Sequence, residues 1–300
     1  IEAYNKVLSI KPDYAEAYNN MGNALKSQGK LDKAIEAYNK ALSIKPNFAE
    51  ACINMGIAIE GLIFKKPNSS LQSTIISLLD QKSYVRPRNI AKTAVSLLKL
   101  EPTLNKYLRR NSVDQLKPPV QKVIANLSEL TLLLKLMSVC PIEDIELEYL
   151  LKELRARLLL SNSSLISKTE VLRFQSALAL QCFSNEYIYS QSEDEDKALE
   201  DLDGIVKLAF SNNKQQNPQS ILCLASYKPL NHYEWCDKLL ITSEIQDVFT
   251  RQVLEPKQET NFKSELPLLK EINNEISSKV RDQYESNPYP RWMNLGLPFK

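Results

Sequence analysis

Glycine is scarce in this 300-residue chain, histidine scarcer, and long apolar runs are missing. The six glycines, Gly22, Gly29, Gly56, Gly61, Gly204 and Gly296, are nowhere spaced as GxGxxG or GxxxxGK[ST]. Those turns let backbone amides close on a phosphate or a dinucleotide, so no cofactor is expected to be held by these residues. A single histidine, His232, excludes HExxH and every multi-histidine metal site. The five cysteines, Cys52, Cys140, Cys182, Cys223 and Cys236, form no CxxC pair and read as reduced, mostly buried thiols of a cytoplasmic protein. No stretch of about 18 apolar residues exists to span a membrane, and charges punctuate the opening IEAYNKVLSIKPDY too often for a signal peptide. Charge of one sign is missing too. Thirty-eight basic residues face 36 acidic ones for a net +2, and without a basic run neither nucleic acid nor an anionic membrane is an expected partner. No catalytic or metal-binding residue stands out.

Length allows two domains, and 43% apolar residues can fill their cores. The strongest positive signal is internal. IEAYNKVLSIKPDYAEAYNNMG (Ile1 to Gly22) aligns with IEAYNKALSIKPNFAEACINMG (Ile35 to Gly56) at an offset of 34, with 17 of 22 positions identical. Small residues, Gly22 and Ala34, stand where paired helices cross closely, and Tyr38 fills the space beside them. Gly29 accepts the positive φ of an inter-helix turn, and Pro46 ends the second helix. The spacing predicts helices over 15–28 and 31–44 and a third from Ala49. With Tyr18, Met21, Gly22, Leu25, Ala34, Tyr38, Ala41 and Pro46 in register, residues 1–62 resemble tetratricopeptide repeats. Since about three repeats are needed to bury both faces, more are expected to precede Ile1. The resemblance implies a superhelix whose inner wall carries Asn19, Asn20, Asn23, Lys26 and, one repeat later, Asn54. The recurrence of Asn20 as Asn54 resembles the asparagine ladder of O-linked N-acetylglucosamine transferases, where amides hold a peptide backbone. An amide suits that task because it both donates and accepts hydrogen bonds. A solvated helix face is the alternative.

Beyond GIAIEGLIFKKPNSS the 34-residue period stops. LQSTIISLLDQ, NIAKTAVSLLKL, VQKVIANLSELTLLLKLMSV, DIELEYLLKELRARLLLS and KTEVLRFQSALALQCFSNEYIYS each space apolar residues as amphipathic helices do. Ser83 to Pro87, Glu101–Pro102, Pro118–Pro119 and Cys140–Pro141 interrupt them. ILCLASY reads as a strand or a buried helix, with helix favoured by its surroundings. SEDEDKALEDLDGIV is an acidic helix start and a solvated face rather than a metal site. NHYEWCDKL, with His232, Tyr233, Trp235 and Cys236, reads as a core or interface aromatic cluster.

NMGIAIEGLIFKKPN, YVRPRNIAKTAVSLLK, LMSVCPIEDIELE, ALALQCFSNEYIY, ILCLASYKPLNHYEWC and VRDQYESNPYPRW follow in the order seen in bacterial proteins that fuse tetratricopeptide repeats to a class I S-adenosylmethionine-dependent methyltransferase. The chain is similar to that family from about residue 56 onward. The resemblance implies that QYESNPYPRW lies just upstream of a catalytic domain, which would begin after Lys300, and that S-adenosylmethionine belongs to that absent domain. Gln283, Tyr284, Asn287, Tyr289, Arg291 and Trp292, on a backbone stiffened by Pro288 and Pro290, suit a lid or an interdomain seam. The expected fold class is all-α: tetratricopeptide-repeat helical hairpins over 1–62, an α-helical accessory domain over 63–270, and a linker over 271–300. The expected function is the non-catalytic portion of a methyltransferase that recruits a protein or peptide. The alternatives are a protein–protein interaction scaffold without methyl transfer and the repeat region of a peptide N-acetylglucosaminyltransferase-like protein.

Overall fold

The computed structural model describes residues 1–81, 84–108, 118–265 and 274–286. Every regular element among them is helical, so the chain is all-α. It divides into two compact units, one holding Ile1–Leu150 and one beginning at Leu151.

The first unit opens with α1 (Glu2–Ile10), α2 (Ala15–Ser27), α3 (Leu31–Ile44) and α4 (Ala49–Ile59). Gly29 sits at φ +71° in the turn after α2, where the Lys30 N–H donates to the Leu25 carbonyl at 3.0 Å. The left-handed residue closes the helix end and reverses the chain. The α2–α3 crossing is set by Gly22, whose missing Cβ would stand 2.5 Å from the Tyr38 ring. Ala34 and Ala41 of α3 are wholly buried. Lys45 leaves the helical region ahead of Pro46, and α3 stops at Ile44, as the residue before a proline must.

After α4 come α5 (Ser69–Asp80), α6 (Pro87–Leu98), α7 (Pro102–Leu108), α8 (Val120–Ser128), α9 (Thr131–Val139) and α10 (Ile145–Leu160). Here the repeat fails for a visible reason. Asn68 caps α5, accepting from the Leu71 N–H at 2.9 Å, and α5 then lies along α3, where the Asn39 amide donates to Ser70 Oγ at 2.7 Å and the Gln81 amide donates to Asn47 Oδ1 at 2.8 Å. The partner of α4 is therefore α6. A Cβ on Gly56 would stand 2.9 Å from Val85, just ahead of α6, and the Thr93 hydroxyl donates to the Ile59 carbonyl. Gly56 repeats the role of Gly22 against a different neighbour. Pro87 and Pro102 open helices as well as interrupting them, since a missing N–H costs nothing in a first turn. The stretch 120–139, one amphipathic run in the sequence, is two helices, because Leu130 leaves the helical region and α9 packs against α5 and α6.

The second unit takes up α10 from Leu151 and adds α11 (Thr169–Ser184), α12 (Glu193–Ser211), α13 (Pro218–Ala225), α14 (Gln246–Phe249), α15 (Glu255–Glu265) and α16 (Glu275–Ser286). ILCLASY is helical. α13 is buried on every side from Gln219 to Ala225, which removes the periodicity that distinguishes helix from strand. Between α14 and α15 a π turn over Thr250–Leu254 carries Gln252 inward. Its amide donates to the carbonyls of Ala225, at 3.1 Å, and Ala179, at 3.3 Å, and its oxygen accepts from the Leu230 N–H at 3.1 Å. One carboxamide thus ties α11, α13 and the turn at Leu230. Trp235 stacks between Tyr233 and Phe210, at centroid distances of 4.7 and 5.5 Å, and its Nε1–H donates to Asp203 at 2.9 Å. His232 does not join this cluster. It is exposed on a 3-10 turn, with Tyr233, Trp235 and Cys236 buried after it, because the short turn points successive side chains to different sides.

The acidic start of α12 is only partly a solvated face. Ser192 and Glu195 form a reciprocal capping box, and Glu195 is 4% exposed. It accepts from the Tyr227 hydroxyl at 2.7 Å and from Arg155 Nη2 at 3.4 Å. The Arg155 guanidinium, wholly buried, lies 4.1 Å over the Tyr227 ring, and its Nη2 also donates to the carbonyls of Tyr189 and Ser190. Burial pushes the Glu195 carboxyl up, but the Tyr227 hydroxyl, the Ser192 N–H and Arg155 outweigh it and hold it below the ordinary value of 4.5. Ionised Glu195 therefore stabilises the fold above pH 4.5, and that contribution is lost as pH falls through the lowered folded value. In urea unfolding, Glu195→Gln is expected to cost about 3 kcal/mol at neutral pH by leaving Arg155 uncompensated. The gap to the parent chain should close as the solution is acidified below pH 4.5. A gap that stays constant with pH would contradict this account of the cluster.

Candidate peptide-binding site

α2 and α4 lie side by side as the first helices of successive repeats, and their shared face carries the amides. Asn19 corrects the sequence reading. It is 1% exposed and so withdrawn from any peptide, because α4 covers it: the Asn54 Nδ2–H donates to Asn19 Oδ1 at 3.0 Å. Asn19 joins the two repeats and orients Asn54, which is half-buried. Asn20, Asn23 and Lys26 are exposed on α2.

Two of these amides have their polarity set from behind. The Tyr38 hydroxyl reaches from α3 and donates to Asn23 Oδ1 at 2.8 Å. Among the described residues the Asn23 NH2 has no partner, so Asn23 faces outward as a donor. Burial pushes the Tyr38 phenol above its ordinary value, which keeps the proton it donates. Asn54 is the converse: with an N–H spent on Asn19, its oxygen has no partner among the described residues and is an acceptor. A donor and an acceptor on one wall match the alternating C=O and N–H of an extended backbone.

The sequence reading missed two residues. Ile53 and Ile57, 41% and 54% exposed on α4, stand 34 positions after Asn19 and Asn23. The same offset that relates Asn20 to Asn54 points to them. At the positions of Asn19 and Asn23, α4 thus presents exposed apolar side chains beside Asn54.

Among the described residues no group of three or more His, Cys, Asp or Glu is placed to hold a metal, and no helix is long and apolar enough to cross a membrane. All five cysteines are buried and in no disulfide. Burial pushes Cys52 and Cys236 up to about 11, and Cys140, Cys182 and Cys223 to about 12, so none is a thiolate nucleophile at neutral pH. Of the residues expected to form a lid or seam, Gln283 is exposed on α16. The Tyr284 side chain, Asn287, Tyr289, Arg291 and Trp292 lie outside the described residues.

The family model of the tetratricopeptide repeat matches residues 15–48, which span α2, the Gly29 turn, α3 and the turn before α4. No curated protein matches the chain. Residues 15–48 therefore form a repeat of the kind that serves protein–protein interaction.

Proposed function

We propose that the wall of α2 and α4 captures an extended protein or peptide segment. The opposed polarity of Asn23 and Asn54 carries this reading: each amide is held from behind by a residue that touches no ligand, so each presents one fixed hydrogen-bonding sense to the wall. The captured segment places its backbone on Asn20, Asn23 and Asn54, and an apolar side chain on Ile53 and Ile57. Lys26 favours an acidic residue at the α2 end. The contact that α2 and α4 alone offer gives modest affinity, since immobilising a peptide consumes much of the contact energy. Panning a random peptide library against the chain tests this. Enriched peptides are expected to be extended and apolar at one end. Asn20→Ala should weaken them by about tenfold while changing stability within about 0.5 kcal/mol. Asn54→Ala should weaken them and also cost about 1 to 3 kcal/mol, by leaving Asn19 unpaired. Selected peptides that bind the Asn20→Ala, Asn23→Ala and Ile57→Ala variants as well as the parent would refute the wall as the site.

We further propose that this capture serves an S-adenosylmethionine-dependent methyltransferase, of which these residues are the non-catalytic portion. The ordered series from NMGIAIEGLIFKKPN to VRDQYESNPYPRW supports that reading, and the cofactor would then be held by residues outside this chain. The encoded sequence after Lys300 decides it. A strand running into a glycine-rich turn within about 50 residues is expected. A stop codon there makes the protein an interaction scaffold, and a sugar-nucleotide domain makes it a glycosyltransferase relative.

A further inference from the structure

Outside the repeats the first unit contains a cavity of about 450 Å³, within the size range of small-ligand sites. One wall is a single face of α6 and its C-terminal end, running Arg88, Lys92, Val95, Lys99. Successive members are spaced by three or four residues, so they share that face. The floor is apolar, with Phe64, Ala91, Leu100 and Pro141 lining it. The one hydroxyl in the lining, Ser96, is already satisfied: it donates to the Thr93 carbonyl at 2.8 Å and accepts from the Phe64 N–H at 3.1 Å. The floor therefore offers burial and no polar anchor.

Ion pairing at the mouth is uneven. Arg88 pairs with Glu143 at 2.7 Å, both groups about two-thirds exposed. Lys99 is held between Asp144 and Glu146. Lys92, exposed and one turn from Arg88, has no hydrogen bond or ion pair among the described residues. The carboxylates that line the cavity are thus committed to Arg88 and Lys99, and Lys92 is the cation of its lining left without an ion pair among the described residues. The Arg88–Glu143 pair, in water, is worth little, so Arg88 is open to a competing anion and can grip it with two N–H groups.

We propose that this cavity binds a small amphiphilic carboxylate: an apolar chain or ring seated on Phe64, Val95 and Leu100, its carboxylate on Lys92 and Arg88. The site is independent of the peptide wall. Octanoate is the probe, titrated into the whole chain and followed by amide NMR. Saturable binding in the millimolar range or tighter is expected, with shifts centred on α6. Octanol should bind about tenfold more weakly, the worth of one hydrogen bond to a charged group, and octylammonium more weakly still. Lys92→Glu, at an exposed position, should lose the octanoate preference without altering the melting temperature, and Ala91→Trp should abolish binding by filling the cavity. If Ala91→Trp does not fold, Lys92→Glu still decides. No saturable octanoate binding, equal binding of octylammonium, or undiminished binding to Lys92→Glu would overturn the proposal.

Discussion

Tyr38 does two things at once. Its ring lies so close to Gly22 that a single added carbon would overlap it, and its hydroxyl fixes the amide of Asn23. The first contact sets how near α2 comes to α3, since close-packed interiors leave no room for a longer side chain at the crossing. The second carries that packing to the surface: the residue that locks the hairpin also decides which end of an exposed amide faces outward. A tyrosine is needed for this pairing, because a phenylalanine fills the same space without orienting anything.

The two units spend buried polar groups in the same way. In the first, Asn19 is sacrificed to hold Asn54. In the second, Gln252 joins three backbone segments and Glu195 answers the buried charge of Arg155. Each group is costly to bury alone and acceptable once bonded. Such groups fix one arrangement of helices that apolar contacts alone would leave loosely specified, as polar core groups do in other helical assemblies.

The repeat was legible almost to the residue. Leu31 and Ile44 bound α3 as the spacing predicts, and α2 ends at Ser27, one residue short of the expectation, because glycine, alanine, tyrosine and proline each have a local mechanical task there. The departures come from tertiary contacts that spacing does not encode. Asn19 and Asn20 are neighbours of like type in sequence, yet one is buried and the other exposed, since only the position of α4 distinguishes them. Glu195 sits among acidic residues that suggest a solvated face, but it is drawn inward by Arg155, 40 residues earlier in the chain. The α5–α3 and α4–α6 partnerships were beyond reach for the same reason: once the period stops, which helix covers Gly56 depends on a loop residue, Val85.

The most direct measurement is a double-mutant cycle on binding of a selected peptide, combining Tyr38→Phe with Asn23→Ala. Tyr38 is wholly buried, out of reach of a peptide on the proposed wall, so any effect it has is expected to pass through the amide it orients. Tyr38→Phe is expected to weaken the peptide about as much as Asn23→Ala, and the double variant no further than either, a coupling of about 0.5 kcal/mol or more. A Tyr38→Phe chain that binds the peptide like its parent, or two effects that simply add, would contradict the account.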